Sequence, residues 1–427
     1  MPASVRRAKR LAGSITPPGD KSISHRAAIF NAIATGEARV DNFGPGADCQ
    51  STLRVLRGLG AEIEGKGTSF TVRGGDLSEP ADVLNTGNSG TTTRLMAGVL
   101  AGQPFLSIMT GDRSIRSRPM GRIVEPLRMM GAQVDGRDGG KLAPLTFRGG
   151  ALHGIEYRMP VASAQLKSCL LLAGLFASGE TVLRQPALSR DHTELMFRAM
   201  GADVIEDGLT VSVRAAKLKA IDVIVPADMS SAAYWLVAAV CHPDAEVKVV
   251  GVGANPTRTG ILDALHAMGA DVKVVNERTE GGENVADLVA RSSDLTAGEF
   301  GGDLIPRMID EVPVLALAAC FARGTTVIRD AEELRVKESD RIAAIAHELS
   351  KMGGKVEELK DGLRITGGRS LKGASVRSYG DHRIAMTLGV AGLLATGKTT
   401  VANSETASIS YPSFWDDLDS LRSGASA

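Results

Sequence analysis

The chain has 427 residues, 43% hydrophobic and 23% charged, enough for two to four folded domains at roughly 100–200 residues each and too apolar for extended disorder. Lys+Arg and Asp+Glu both total 49 and aromatic residues are only 4%, which excludes a general polyanion binder and a base-stacking platform but not a local basic cleft. No apolar run reaches the ~18 residues that span a bilayer, so no membrane association is expected.

Taken in chain order, the first predicted helix opens at Gly19-Asp20-Lys21-Ser22 and runs through Arg26 into a small apolar stretch. Free N–H groups and the helix dipole at such a start favour an anion, and Lys21 and Arg26 add full charges that a simple cap does not require. Asn85-Thr86-Gly87-Asn88-Ser89-Gly90 to Arg94 reads as a glycine-rich turn opening a second helix, with Gly90 permitting close backbone approach. It lacks the lysine of a Walker A loop. Gly111 to Pro119 carries Arg113, Arg116 and Arg118, and Pro119 holds Arg118 extended. Ser163, Gln165 and Lys167 open a buried apolar helix, and Arg190-Asp191-His192-Thr193-Glu194 precedes another, where Thr193 and Glu194 fit a helix cap equally well. A strand-like run, Ile221 to Val225, meets a fresh helix start at Asp228, which marks the mid-chain boundary. Asp310 and Glu311 precede a nearly all-apolar helix; they suit dipole pairing, or a base beside a dry element. Leu334 to Arg341 reads as an amphipathic charged helix start, and Tyr379-Gly380-Asp381-His382-Arg383 as a helix beginning with a cation.

These elements repeat. A helix-then-glycine signature ends at Gly60, Gly131, Gly201, Gly269 and Gly353, spaced 71, 70, 68 and 84 residues apart. A period near 70 accommodates about six units. An all-round apolar helix followed by glycine and a β-branched strand alternates with it, as in VLALAACFARGTTVI and AMTLGVAGLLATGKTTV. Helices without a polar face belong inside, so an α/β architecture with buried helices and outer sheets is expected, three repeats on each side of the boundary. No GxGxxG follows a first strand, which disfavours a Rossmann sheet. Cys49, Cys169, Cys241 and Cys320 stand far apart without zinc spacing, and reduced thiols in a cytoplasm are expected.

The motifs GDKSISHR, GNSGTTTR, RSRP, SAQLKS, RDHTE, IDEVPVLA, RVKESDR and YGDHRIAM, in order from Gly19 to Pro412, resemble those of the 5-enolpyruvylshikimate-3-phosphate synthases. That resemblance implies two lobes of three βαβαββ units each, the enolpyruvyl transferase fold, with helix N-termini facing a cleft. A first, discontinuous lobe is expected at 1–14 with 227–427, and a second at 15–226. The implied reaction moves the enolpyruvyl group of phosphoenolpyruvate to the 5-hydroxyl of shikimate 3-phosphate and releases phosphate, on the route to chorismate. By the same resemblance Lys21, Ser22, Arg26, Ser163, Gln165, Arg190, Asp310 and Lys337 meet shikimate 3-phosphate. Lys21, Gly90, Arg118, Gln165, Arg341 and Arg383 meet phosphoenolpyruvate. Asp310 is the base, Glu338 and Lys21 are its proton-transfer partners, and His382 stands at the family's site histidine. No metal or organic cofactor, nucleic acid or membrane is implied, and a cytoplasmic monomer is expected.

Three positions depart from common members: Ile409 where many have lysine, Ala164 where some have serine, and Leu95 where some have proline. They resemble the more divergent bacterial branch. Gly90 leaves room that a methyl would fill, and inhibition by glyphosate is expected. UDP-N-acetylglucosamine enolpyruvyl transferase is the nearest alternative; Arg113 stands about where its loop cysteine would fall, beside Asp112. A noncatalytic phospholigand-binding protein is the other, but it would not need Asp310, Glu338 and Lys21 together.

Overall fold

The computed structural model describes residues 2–280, 282–368 and 370–423. The chain divides into two compact units, Gly19–Val225 and Met1–Pro18 with Pro226–Ala427.

Within Gly19–Val225 three pairs of helices follow one another. They are α1 (Lys21–Ala32) and α2 (Ala47–Gly58), α3 (Gly90–Ala101) and α4 (Gly121–Met129), and α5 (Ala164–Gly174) and α6 (His192–Ala199). The third repeat shows the pattern whole. Strand Glu156–Arg158 leads through α5 to its parallel neighbour Glu180–Arg184, and α6 leads to the antiparallel pair Val204–Asp207 and Thr210–Arg214. The order is βαβαββ. In the first repeat the opening strand is supplied from the far end of the unit, by Val223–Ile224 pairing in parallel with Gly36–Asp41.

The other unit holds α7 (Met229–Cys241), α8 (Gly260–Ala267), a short α9 (Leu304–Met308), α10 (Val312–Phe321), α11 (Arg341–Lys351), α12 (His382–Leu394) and α13 (Phe414–Ser423). Its first sheet takes Leu11–Ile15 as the parallel neighbour of Ala245–Gly253. Its last is three-stranded, because Ala3–Arg6 pairs antiparallel with Lys398–Ala402 where the other repeats have a hairpin.

The packing follows from side-chain character. All thirteen residues of α12 and the first nine of α10 are buried, so these helices lie inside their unit and the sheets cover them. The second helix of each pair is amphipathic, as in α11, where Ile342, Ile345 and Leu349 are buried while Lys351 is on the outer side. The five recurring glycines take φ between +84° and +92°, the left-handed conformation that ends a helix and that a side chain resists. Asp20, Ser89, Ser163, Asp228, Asp340 and Asp381 cap helix N-termini with their side chains.

Two local expectations are corrected. Residues 334–341 do not form one helix start: a 3-10 turn, Glu332–Val336, ends at an extended Lys337, and α11 begins only at Arg341 under its Asp340 cap. Arg335 holds that break by donating to the carbonyls of Lys360 and Leu359 at 2.7 and 2.6 Å. Thr193 and Glu194 do not cap α6; Asp191 is the N-cap residue, without a side-chain cap bond.

Candidate active site

In the Gly19–Val225 unit the expected residues gather at the N-termini of α1, α3 and α5. Lys21, the first residue of α1, is largely buried, and its Nζ donates to Asp48 Oδ2 on α2 at 3.1 Å. Arg26 is buried. Its Nη1 donates to Ser22 O at 2.9 Å, its Nε to Thr193 Oγ1 at 2.7 Å and its Nη2 to Ser168 Oγ at 2.6 Å. It thus clamps α1 to α5 and α6.

Gly90 begins α3. A Cβ there would lie 3.0 Å from Arg118 Nη1 and 3.1 Å from Arg94 Nη1, so the absent side chain lets two guanidiniums approach the helix end. Arg118 is extended (φ −75°, ψ 141°) and donates from Nη2 to Asn88 Oδ1 and Ser114 Oγ, both at 2.9 Å. Arg94 donates to Gln165 Oε1 at 2.5 Å, and Gln165 Nε2 donates to Thr91 Oγ1 at 2.9 Å. Ser163 is the N-cap of α5, and Arg190 lies half-buried just before α6.

Beneath this set runs a chain of hydroxyls. His25 Nδ1 is 2.6 Å from Thr52 Oγ1, which is 2.7 Å from Thr92 Oγ1, which donates to Ser89 Oγ at 2.7 Å. Burial, reinforced by Lys21 and Arg26, pushes His25 well below its ordinary pKa, so the ring is neutral.

The second unit holds the acidic members. Arg341, the first residue of α11, places Nη1 3.1 Å from Asp310 Oδ1, Nη2 2.7 Å from Glu338 Oε2 and Nε 2.8 Å from Asp381 Oδ2. Burial opposes its charge, but Asp381, Glu338 and Asp310 overcome that and raise its pKa above the usual arginine value. Asp381 is fully buried and also caps α12 by accepting from Arg383 N at 2.8 Å. Arg383 is 1% exposed, and its Nε and Nη1 have no hydrogen-bond partner among the described residues. Burial again opposes the charge, yet Tyr234, Asp310, Asp228 and Glu311 hold it on the guanidinium. A buried cation with two idle donors is prepared for an anion. Lys337 pairs with Glu333 at 3.1 Å, His382 is buried beside Asp381, and Ile409 closes the 3-10 turn Ser404–Ile409. Glu311, next to Asp310, accepts from Ser230 Oγ.

Sequence reading missed Asp48, Arg94 and Asp381 as site residues. Arg94 had a signal, since it stands four residues after Gly90 on one helix face. Asp381 stood inside the motif YGDHRIAM, where the nearby cation drew the reading, and Asp48 had no motif around it. Among the described residues no group of three His, Cys, Asp or Glu side chains is placed to hold a metal. No helix among them is long and apolar enough to cross a membrane.

Two compact units of βαβαββ repeats with cations at helix N-termini define an enolpyruvyl transferase. An enolpyruvyl transferase from Streptomyces tendae, NikO, shares the fold at TM-score 0.80 and 22% identity over 98% of this chain and 96% of that one. The chain belongs to the EPSP synthase (3-phosphoshikimate 1-carboxyvinyltransferase) family, whose model matches residues 5–418. The 3-phosphoshikimate 1-carboxyvinyltransferase of Gloeobacter violaceus is 56% identical over 98% of each chain, and that of Herpetosiphon aurantiacus is 54% identical over 99% of this chain and all of the other. The EPSP synthase of Acinetobacter baumannii superposes at TM-score 0.87 with 43% identity, over 100% of this chain and 99% of its own.

Proposed function

We propose that this chain transfers the enolpyruvyl group of phosphoenolpyruvate to the 5-hydroxyl of shikimate 3-phosphate, releasing phosphate, in the pathway to chorismate and the aromatic amino acids. The observation that carries the reading is the Arg341 cluster. One buried guanidinium has a carboxylate on each fork, and a second, Arg383, has idle donors nearby in the same charge network. A carboxylate base beside anion-binding cations is what adding an alcohol to a phosphorylated enol demands.

In this reading Arg341, Arg383, Arg118, Gly90 and Lys21 hold phosphoenolpyruvate, with Gln165 touching it. Lys21, Ser22, Arg26, Ser163, Gln165, Arg190 and Lys337 hold shikimate 3-phosphate. Asp310 takes the proton of the 5-hydroxyl as its oxygen attacks C2 of the enol. C3 gains a proton from Glu338 or Lys21, giving a tetrahedral ketal. Loss of a C3 proton then re-forms the double bond and expels phosphate, whose charge the cations stabilise. Each positioned proton-transfer group contributes typically ~10²–10⁴-fold.

We place the enzyme in the cytoplasm as a monomer. All four cysteines are free thiols, as a reducing compartment keeps them, and each unit has its own hydrophobic core. The test is phosphate release from phosphoenolpyruvate with each acceptor. Release with shikimate 3-phosphate and none with UDP-N-acetylglucosamine is expected; the reverse overturns the reading, as does binding without turnover.

A further inference from the structure

Lys167 and Glu194 form an ion pair at 2.6 Å with both side chains only 1% exposed. Burying two ions costs more than their attraction commonly returns, and apolar residues of the same volume often stabilise such a site. Burial raises the Glu194 pKa, and Lys167 opposes the shift. The proton-transfer chemistry above uses neither residue.

What the pair connects is specific. Lys167 lies on the opening turn of α5, two residues after Gln165 and four after Ser163. Its Nζ also donates to Ser189 O at 3.1 Å, the carbonyl of the peptide bond to Arg190. Residues 185–191 have no helix or strand of their own. Their shape depends on such side-chain bonds, including Ser189 Oγ to Gln185 Oε1 at 2.6 Å. Glu194 stands on α6 next to Thr193, which joins the Arg26 clamp. Ser168 gives its proton to Ala164 O at 2.7 Å, so Thr193 must donate to Ser168 across their 2.6 Å contact, and both hydroxyls then accept from Arg26. Each of the two hydroxyl protons has one acceptor, which fixes the direction of both bonds.

We infer that Lys167 and Glu194 are positioning residues for shikimate 3-phosphate: their ion pair and the Lys167–Ser189 bond set Arg190 at a fixed distance from Ser163 and Gln165. An apolar pair would fill the same space without directional bonds and would no longer hold the Ser189 carbonyl that precedes Arg190. This rests on the function proposed above, which assigns Ser163, Gln165 and Arg190 to that substrate.

The test is the double variant Lys167→Met/Glu194→Met, which removes both charges and keeps a comparable volume. Binding of shikimate 3-phosphate is measured by calorimetry without phosphoenolpyruvate, and Tm alongside. Tm is expected to hold or rise, while Kd weakens roughly 10-fold or more, the scale of displacing positioned groups by a fraction of an ångström. Kd within about twofold of the unaltered protein overturns the inference, whatever Tm does, and leaves the pair as charge compensation in the core. If the double variant does not fold, Glu194→Gln decides: weaker binding at native Tm supports the inference and equal binding overturns it. The unaltered protein and Arg190→Ala are measured first. If the unaltered protein does not bind shikimate 3-phosphate, the functional reading falls and this inference with it. If it binds, Arg190→Ala weakens binding and the double variant does not, only this inference falls.

Discussion

Arg341 Nη1 stands 3.1 Å from Asp310 Oδ1, and the same guanidinium reaches Glu338 and Asp381. The proposed base and its acid partner are therefore held by a cation that the reading also assigns to phosphoenolpyruvate. Lysine in its place keeps the charge but not the planar fork. Arg341→Lys is expected to lower kcat/KM by on the order of 10²–10³-fold, the loss that follows removal of one preorganised charge-stabilising donor. Steady-state kinetics in both substrates checks this, with circular dichroism to confirm the fold. The KM for phosphoenolpyruvate should rise more than that for shikimate 3-phosphate.

Asp310→Asn keeps the volume and a hydrogen-bonding oxygen but cannot accept the hydroxyl proton. Turnover is expected to fall ~10²–10⁴-fold, with shikimate 3-phosphate binding retained within about threefold. Rapid-quench turnover and calorimetry on the same preparation separate the two effects, and an active variant removes Asp310 from the base role.

Gly90→Ala places a methyl 3.0 Å from Arg118 Nη1 and 3.1 Å from Arg94 Nη1. Both guanidiniums are flexible ends and give way by a few tenths of an ångström, so the fold survives while the anion site narrows. KM for phosphoenolpyruvate should rise several-fold with kcat little changed. Glyphosate is expected to inhibit the unaltered enzyme and to inhibit this variant less. Full activity of the unaltered enzyme in millimolar glyphosate would contradict this.

The repeat architecture was legible because its signals are local. A helix needs its terminating glycine within a residue of its last turn, and the five glycines occupy equivalent left-handed positions. Apolar helices such as α10 and α12 announced their burial by composition. The motifs around Lys21 and Arg383 were legible as helix starts with cations. What escaped is the pairing across long separations: Lys21 with Asp48 over 27 residues, Arg341 with Asp381 over 40 and Arg94 with Gln165 over 71. Nothing local in an aspartate says which arginine will find it. The boundary of α11 escaped for a related reason, since Arg335 reaches carbonyls 24 and 25 residues away.

His25 supplies a pH test. Its folded pKa lies well below the ordinary 6.5 because of burial, then Lys21 and Arg26. The folded state thus binds fewer protons than the unfolded chain, and stability falls as pH drops below about 6.5, until the folded pKa is reached. The slope from one such group is at most about 1.4 kcal/mol per pH unit. His25→Asn is expected to flatten the decline of Tm between pH 6.5 and 5, read by calorimetry at each pH. A curve parallel to that of the unaltered protein would assign the acid sensitivity elsewhere.

Tyr379 is a non-glycine residue at φ +57°, just before the turn that delivers Asp381 and Arg383. Its hydroxyl donates to Glu348 Oε1 at 2.6 Å, which pushes its pKa, already raised by burial, up to about 12. Glu348 is fully buried on α11 and also accepts from Lys351 Nζ at 2.9 and 3.1 Å and from Arg377 N at 3.2 Å. The helix that begins with Arg341 therefore pins the turn that carries Arg383, and the left-handed backbone is held by a charged hydrogen bond. Tyr379→Phe removes one of several donors and is expected to cost about 1.5 kcal/mol, the low end for a bond to a charged group. Glu348→Leu removes the acceptor of all of them and should cost more. Denaturant unfolding measures both. If the turn depends on this bond, Tyr379→Phe also raises KM for phosphoenolpyruvate; a stability loss without that change would confine Glu348 to packing.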